Sequence, residues 1–190
     1  MYKPFLSLLL LILLLEMSSC KSKITYNGDS MINYPDMGMI LQDNLEPYEK
    51  APYTYRLVTV ENNKKDTSYL HANEVKWKNI KQPFLDASLY NKELDRQYKI
   101  DVITDTITST LTMIYTSLNP ENLTSNLSIK ANLADNKVKS IYAETRDAGF
   151  FSSTEYKLLL VNQKTIQIQE LSKKPFSSLK QKVTTLTFLN

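Results

Sequence analysis

The sequence contains very few of the residues that enzyme and cofactor sites most often use. Its 190 residues include one cysteine, one histidine and three glycines. Catalytic triads need a histidine beside the nucleophile, and zinc and iron sites usually need several cysteine or histidine ligands. His71 and Cys20 cannot supply such sites by themselves, and no G-x-S-x-G segment is present. Because glycine is so scarce, a glycine-rich phosphate loop is also excluded. We expect no catalytic residue and no cofactor.

The sequence also lacks an excess of one charge. Its formal net charge of +3 comes from 23 basic and 20 acidic residues that are mixed along the chain. Nucleic-acid-binding domains usually concentrate basic residues on one surface, so nucleic acid is not an expected partner. A calcium site would need grouped carboxylates, but Asp95, Asp101 and Asp105 do not follow the spacing of an EF-hand loop. We therefore expect no metal site.

The N-terminal segment has the parts of a signal peptide. Lys3 provides a positive start, an apolar run of eleven residues extends from Phe5 to Leu15, and two serines precede Cys20. A membrane crossing takes roughly 20 residues, so this run is too short to span a bilayer. We interpret residues 1–19 as a leader that is removed on export.

The residues around Cys20 resemble the lipobox of bacterial lipoproteins, in which the leader is cut before an acylated cysteine. The resemblance implies that Cys20 is lipidated and that its acyl chains hold the protein to a membrane. The alternative is an ordinary secretory leader with a free cysteine nearby. No acidic residue directly follows Cys20. By analogy with lipoprotein sorting, this favours an outer-membrane anchor with the domain facing the periplasm.

Residues 20–52 show no sustained helical or strand period. They contain two of the three glycines and several prolines, so we expect a lipidated cysteine followed by a tether. However, Met31, Met37, Ile40 and Leu41 are more apolar than a solvated linker requires. Part of this segment is therefore expected to pack on the domain or to contact a partner, and packing is the favoured interpretation.

Residues 53–190 have the patterns of a single α+β domain. A strand is expected over residues 53–60, with a short return at 67–70. Amphipathic spacing predicts helices over 72–82 and 89–97. Pro83 should end or kink the first helix, and His71 with Glu74 has the spacing of a capping box.

Strand patterns dominate the rest of the domain, and short polar connections favour antiparallel pairing. We expect a meander of about five or six strands, which gives an N-terminal strand and one or two helices followed by a sheet. Apolar residues on both faces of the strand at Val138 indicate a bulge. The strands are expected at residues 107–115, 127–133, 137–145, 154–161, 164–171 and 179–189.

A set of positions in the domain carries a further resemblance: Asp66-Thr67-Ser68-Tyr69-Leu70, Glu74, Pro83-Phe84-Leu85, Tyr98, Asp105, Tyr115 and Lys137-Val138-Lys139-Ser140-Ile141-Tyr142. In these positions the chain resembles a group of small Bacteroidota lipoproteins with a domain of unknown function. The similarity covers roughly residues 53–190. It implies a fold and an envelope location, but no activity.

Three functions remain open from the sequence. The first is a lipid-anchored envelope lipoprotein whose domain binds an envelope protein, glycan or lipid, or has a structural role, without catalysis. The second is a carrier that holds a lipid or another hydrophobic ligand in a cavity lined by the sheet. The twelve tyrosines could line such a cavity or could pack across strands.

The third function is a hydrolase that uses two carboxylates. Its alternative is that the acids are helix caps and turn residues. A stripe of Lys76, Lys78 and Lys81 near Trp77 could meet anionic lipid head groups, or it could be a solvated helix face. The candidate acids are Asp86, Glu93, Asp95, Asp101 and Asp105.

Overall fold

The structure is a computed structural model, and it describes the chain from β-strand residues 23–25 to residue 189 with gaps. The described ranges are 23–25, 34–90, 94, 97–149, 152–175 and 178–189. Cys20 and the expected leader, residues 1–19, lie outside them. The described residues form an α+β domain with one antiparallel sheet and two helices.

The helices lie in the N-terminal half of the chain, and strands occupy most of the remainder. The helices are α1 (Met37–Lys50) and α2 (Trp77–Asp86), with a 3₁₀ turn (Ala72–Glu74) before α2. The strands are β1 (Lys23–Thr25), β2 (Thr54–Glu61), β3 (Lys64–His71), β4 (Tyr98–Asp105), β5 (Thr110–Ser117), β6 (Thr124–Asn132), β7 (Val138–Ala148), β8 (Ser153–Val161), β9 (Thr165–Lys173) and β10 (Lys180–Leu189).

The sheet has the order β1-β4-β5-β6-β7-β8-β9-β10-β2-β3, and all neighbours are antiparallel. Strands β4 to β10 form a continuous meander. The β2–β3 hairpin joins this meander through a pairing between β2 and the last strand, with Lys182 opposite Glu61 and Leu189 opposite Thr54. The sheet is therefore a meander with an N-terminal hairpin added at one edge and a short β1 at the other.

The connections between strands lie at two opposite ends of the sheet, the near end and the far end. The near end carries the β4–β5, β6–β7 and β8–β9 turns, and β1 begins close to it because Lys23 pairs with Ile103. The far end carries the β2–β3, β5–β6, β7–β8 and β9–β10 connections.

One face of the sheet, which we call the inner face, packs against the helices and forms the core. Strand alternation places a buried apolar residue from each of the central strands on this face. One cross-strand row consists of Leu127, Ala143, Leu158 and Ile168, and Leu186 of β10 lies opposite Ile166, closer to the near end. On the outer face, the neighbouring row combines the polar residues Ser128, Gln167 and Thr185 with the half-buried Tyr142 and Leu159. The buried positions therefore alternate with more exposed ones, as in an antiparallel sheet that has one solvated face.

The segment expected to be a tether contains α1, which is part of the core. Met37, Leu41 and Leu45 repeat every fourth residue and are almost completely buried. The Asp36 carboxylate caps the helix by accepting hydrogen bonds from the backbone amides of Gly38 (2.8 Å) and Met39 (3.3 Å). The expected packing of this segment is confirmed. The expected absence of regular structure is wrong, and the described domain begins before residue 53.

Pro83 does not end the first predicted helix, so that part of the prediction is wrong. Helix α2 continues past Pro83 to Asp86, although proline removes one backbone hydrogen bond. Phe84 is 1% exposed, so its burial in the core stabilises the last turn. His71 and Glu74 do form a cap, but on the preceding 3₁₀ turn, where the His71 amide donates to the Glu74 carboxylate at 2.6 Å.

The second predicted helix, over residues 89–97, is not present at the positions that the structure describes there. Leu89 is buried in the core without helical structure, and the Gln97 amide closes a turn to the Leu94 carbonyl at 3.0 Å. Residues 91–93 and 95–96 lie outside the described residues. Burial of single apolar residues, rather than a helical face, explains the pattern here.

The predicted antiparallel strands are present, but the structure contains more strands than the sequence predicts. Nine long strands and the three-residue β1 replace the expected first strand, its return and five or six meander strands. β4 was missed because Val102 and Ile103 are adjacent apolar residues on opposite faces, which hides the alternation. The expected bulge is present, since Lys130 and Ala131 pair with Ser140 and Val138 and leave Lys139 as the extra residue.

Candidate functional site

A cleft of about 900 Å³ lies between α2 and the far-end part of the inner face. Its wall on one side is the row of Lys76, Asn79, Ile80, Pro83 and Asp86. Asn79, Ile80, Pro83 and Asp86 are three or four positions apart and form one face of α2, and Lys76 is the residue directly before the helix. The opposite wall comes from strands β2, β3, β7, β8, β9 and β10. The cleft is thus a space between helix and sheet that the core does not fill.

The part of the cleft nearest the core is apolar. Leu57 and Leu70 contribute from the N-terminal hairpin, and Ile168 contributes from β9. Val75 and Ile80, which are buried in the core, continue this surface on the helix side. Together they provide an apolar floor that is continuous with the core cluster.

The far-end part of the cleft is polar, because the inner-face positions change character along the same strands. On β10, Leu186 and Phe188 belong to the core, whereas Thr184 and Lys182 line the cleft. The register places Thr184 between Thr59 of β2 and Ile168 of β9, both of which also line it. Strand β10 therefore contributes residues both to the core and to the polar wall of the cleft.

The charges along the cleft are predominantly negative. Four carboxylates and two ammonium groups line it. Lys182 is directly opposite Glu170 in the β9–β10 register, so its charge is balanced locally. The cleft as a whole has an excess of negative charge. The carboxylates belong to Glu74, Asp86, Asp147 and Glu170, and the ammonium groups belong to Lys76 and Lys182.

Tyr156 is the aromatic residue at the boundary between the two parts of the cleft. It lines the cleft and also packs against the core. Burial raises the pKa of its phenol, and the carboxylates of Glu170, Asp86 and Asp147 raise it further. The phenol is therefore a neutral hydrogen-bond donor at physiological pH.

The acids considered for hydrolysis are not brought together where they are described. Asp86 lines the cleft and accepts a hydrogen bond from the Gln82 amide at 2.8 Å. Asp101 and Asp105 are both on β4, outside the cleft lining. Glu93 and Asp95 lie outside the described residues. Asp86 is thus the one described member of the set in the cleft.

Asp105 is the last residue of β4, and its side chain stabilises the turn that follows. Its carboxylate accepts hydrogen bonds from the Ile107 amide (2.9 Å), the Thr108 amide (3.2 Å) and the Thr108 hydroxyl (2.8 Å). The hydrogen bonds from Thr108 lower the pKa of Asp105. This matches the alternative interpretation of the acids as turn residues. Among the residues with described positions, no three of His, Cys, Asp and Glu come together in a way that could hold a metal ion.

The three lysines near Trp77 do not act as one stripe. Lys76 lines the cleft, and Lys78 is exposed. The Lys81 ammonium lies 2.7 Å from the Glu49 carboxylate and so links α2 to α1. The position of one lysine is therefore explained by packing between helices.

Most of the described tyrosines pack within the core rather than line the cleft. Tyr55 contacts Trp77 and Phe188 edge to face, at ring-centroid distances of 5.3 and 5.2 Å. Tyr55 and Phe188 are also direct partners across β2 and β10. Cross-strand packing is therefore the role of Tyr55, and Tyr156 is the tyrosine that lines the cleft.

Sequence reasoning missed the threonines and acids of the far-end sheet, including Thr59, Asp147 and Thr184. The available signal was the change from apolar to polar residues along one face of β10. It could be recognised only with the strand pairing known, because the cleft combines strands that are far apart in the chain.

Neither helix in the described part of the chain is long and apolar enough to span a membrane. Comparison with known proteins gives no match among protein-family models, curated proteins or solved structures. The cleft and its lining are therefore the observations from which a function is argued.

Proposed function

We propose that this protein is a membrane-anchored binding protein that holds an amphipathic molecule in the cleft between α2 and the sheet. The observation that carries the proposal is the cleft of about 900 Å³ with an apolar floor and a polar far end. Small-molecule sites typically have volumes of about 300–1,000 Å³ and combine apolar walls with a few polar groups. The cleft fits that description in size and in lining.

The floor supports binding of the apolar part of such a ligand. A chain lying against Leu57, Leu70 and Ile168 would leave water, and each buried methylene contributes about 0.8 kcal/mol. A run of four to six methylenes would therefore contribute about 3–5 kcal/mol before the cost of ordering the ligand. This favours the carrier hypothesis over one in which the domain recognises only another macromolecule.

The polar end supports a ligand whose polar group carries a positive charge. The lining has four carboxylates against two ammonium groups, and Tyr156 adds a neutral hydroxyl donor and an aromatic ring. An ammonium group is attracted both by carboxylates and by the face of an aromatic ring. An amphipathic amine therefore matches the lining better than a fatty acid does.

The proposed membrane anchor is a lipid on Cys20, a residue that lies outside the described residues. It is supported by the apolar leader and the lipobox resemblance. The acyl chains would keep the domain at the membrane, while the cleft would carry out the binding. A periplasm-facing position on the outer membrane is the location we propose.

The cleft is tested by two tryptophan variants at neighbouring positions of β10. Thr184 lines the cleft, whereas Thr185 is on the outer face, and both are half-buried. A Thr184→Trp side chain should occupy ligand space, so a dodecylamine that carries dansyl at the far end of its chain and keeps a free amino group should bind at least about tenfold more weakly, a loss of roughly two buried methylenes. Thr185→Trp should leave its affinity unchanged. Fluorescence titration of the dansyl group measures both.

Three results would count against the proposal. Absence of dodecylamine binding to the wild type would reject it. Equal weakening by Thr184→Trp and Thr185→Trp would show that the binding does not take place in the cleft. Tighter binding of a dansyl-labelled fatty acid than of the amine would reject the proposal that the ligand is positively charged.

A further inference from the structure

We propose that the near-end corner of the sheet, formed by the β4–β5 and β6–β7 turns, rests on the surface of the anchoring bilayer. This corner is defined by Ile107 in the first turn and Leu133 in the second. The inference rests on the membrane anchor of the proposed function, but it does not depend on a ligand in the cleft.

The position of β1 limits how far the domain can move from its anchor. Cys20 is three residues before Lys23, and an extended residue spans at most about 3.6 Å, so their Cα atoms are within about 11 Å of each other. Lys23 pairs with Ile103, close to the point where β4 enters its turn. A lipid on Cys20 therefore brings the near-end edge of the sheet close to the head groups.

The corner exposes apolar side chains at this same place. Ile107 is 90% exposed, the largest exposed fraction among the large hydrophobic residues that the structure describes, and Leu133 is 40% exposed. The two turns are adjacent, because the Leu133 amide donates to the Ser109 carbonyl at 3.0 Å. A single exposed isoleucine is ordinary on a soluble protein. Two exposed apolar side chains within reach of a lipid anchor, however, are suited to contact with the surface of a bilayer.

The turn that carries Ile107 is held in a defined shape. The Asp105 carboxylate accepts the three hydrogen bonds described above, and Ser109 adopts a left-handed backbone with φ 48°. Asp105 lies near Lys130, and Asp135 lies 3.7 Å from the Lys137 ammonium, so the acids of the corner have basic neighbours. The corner therefore presents isoleucine without an uncompensated negative charge toward the lipid.

The experiment uses the full chain, recovered from bacterial membranes, with one added cysteine as a label site. Cys20 is the only native cysteine and its thiol is consumed by acylation, so a thiol-reactive bimane labels the new residue alone. Ile107→Cys reports on the corner. Leu118→Cys, at a residue 64% exposed at the far end, is the matched control. Each labelled protein is reconstituted into phosphatidylethanolamine–phosphatidylglycerol vesicles with or without brominated acyl chains.

The bimane on residue 107 should lose about half of its fluorescence in the brominated vesicles, because interfacial side chains lie within about 5–10 Å of the acyl boundary. The bimane on residue 118 should be unaffected. Equal quenching at both sites, or quenching at residue 118 alone, would overturn the proposed orientation. Recovery of the full chain in the soluble fraction would overturn the anchor and the docking together. The Thr184→Trp variant tests the cleft separately and should leave the quenching unchanged.

Discussion

Single buried hydroxyls connect distant parts of the domain. The Tyr98 hydroxyl donates to the Thr124 carbonyl, and the Tyr55 hydroxyl donates to the Tyr48 carbonyl, both at 2.6 Å. Burial raises the pKa of each phenol to about 12. These residues therefore tie β4 to β6 and β2 to α1 only while they are protonated.

The raised pKa values predict a loss of stability at alkaline pH. An unfolded phenol ionises near pH 10, whereas these phenols ionise near pH 12, so above pH 10 the unfolded state binds fewer protons and the free energy of unfolding falls. For Tyr98 the fall between pH 10 and 12 should be about 2 kcal/mol. Urea unfolding at several pH values should show a shallower fall for Tyr98→Phe than for the wild type.

The control for this pH dependence is Tyr69→Phe, since Tyr69 is 65% exposed. Its pH profile should match that of the wild type. If Tyr98→Phe kept the full alkaline fall, the ionisation of Tyr98 would not be its cause.

At the scale of elements, α1 covers the near-end part of the inner face and links several elements. The Asn44 side-chain oxygen accepts a hydrogen bond from the Asn162 amide in the β8–β9 turn at 3.1 Å, and Glu49 pairs with Lys81 of α2. Three side chains of α1 are nearly completely buried: Met37, Leu41 and Leu45. The helix is therefore a structural part of the domain rather than a linker beside it.

Truncation of one buried α1 side chain should destabilise the whole domain. Leu41→Ala should lower the free energy of unfolding by about 2–5 kcal/mol, because it removes buried methyl groups and leaves a cavity. Met39→Ala, at a residue 65% exposed, should change it by less than about 0.5 kcal/mol. Urea unfolding followed by the fluorescence of Trp77, the single tryptophan, measures both. Similar values for the two variants would contradict the packing of α1.

The sequence predicted strands far better than it predicted α1. The strands from residue 110 onward have clear alternation and polar turns, so local pattern and final structure agree. Gly38 and Pro47 make α1 difficult to predict from the sequence, because both residues are unfavourable in helices. The stability of α1 comes from the burial of its apolar side chains. The cleft could not be predicted either, since its walls depend on the β2–β10 pairing between distant segments.

At the scale of the whole molecule, the cleft and the proposed docking corner lie at opposite ends of the strands. The strands between them have eight to eleven residues, which corresponds to roughly 25–35 Å at about 3.3 Å per residue. If the near end rests on the bilayer, the polar end of the cleft faces away from it. A ligand would then exchange with the surrounding aqueous space.

The anchor itself is tested with Cys20→Ala in the full chain. Without a thiol to acylate, this variant should leave the membrane fraction and appear in the soluble fraction of the cell. Replacing Lys21 with alanine, one residue away, should leave the protein in the membrane. Immunoblots of both fractions measure the distribution. A Cys20→Ala protein that remained in the membrane like the wild type would reject lipidation.

The pairing of β10 with β2 also determines the order in which the domain can fold. The paired residues Glu61 and Lys182 are about 120 positions apart, whereas the pairings within the meander join neighbouring strands. Contacts between distant positions form slowly, because a long loop must close first. While the last strand is absent, β2 remains an open edge that can pair with other chains. We therefore expect the pairing of β10 with β2 to be the step that covers this edge.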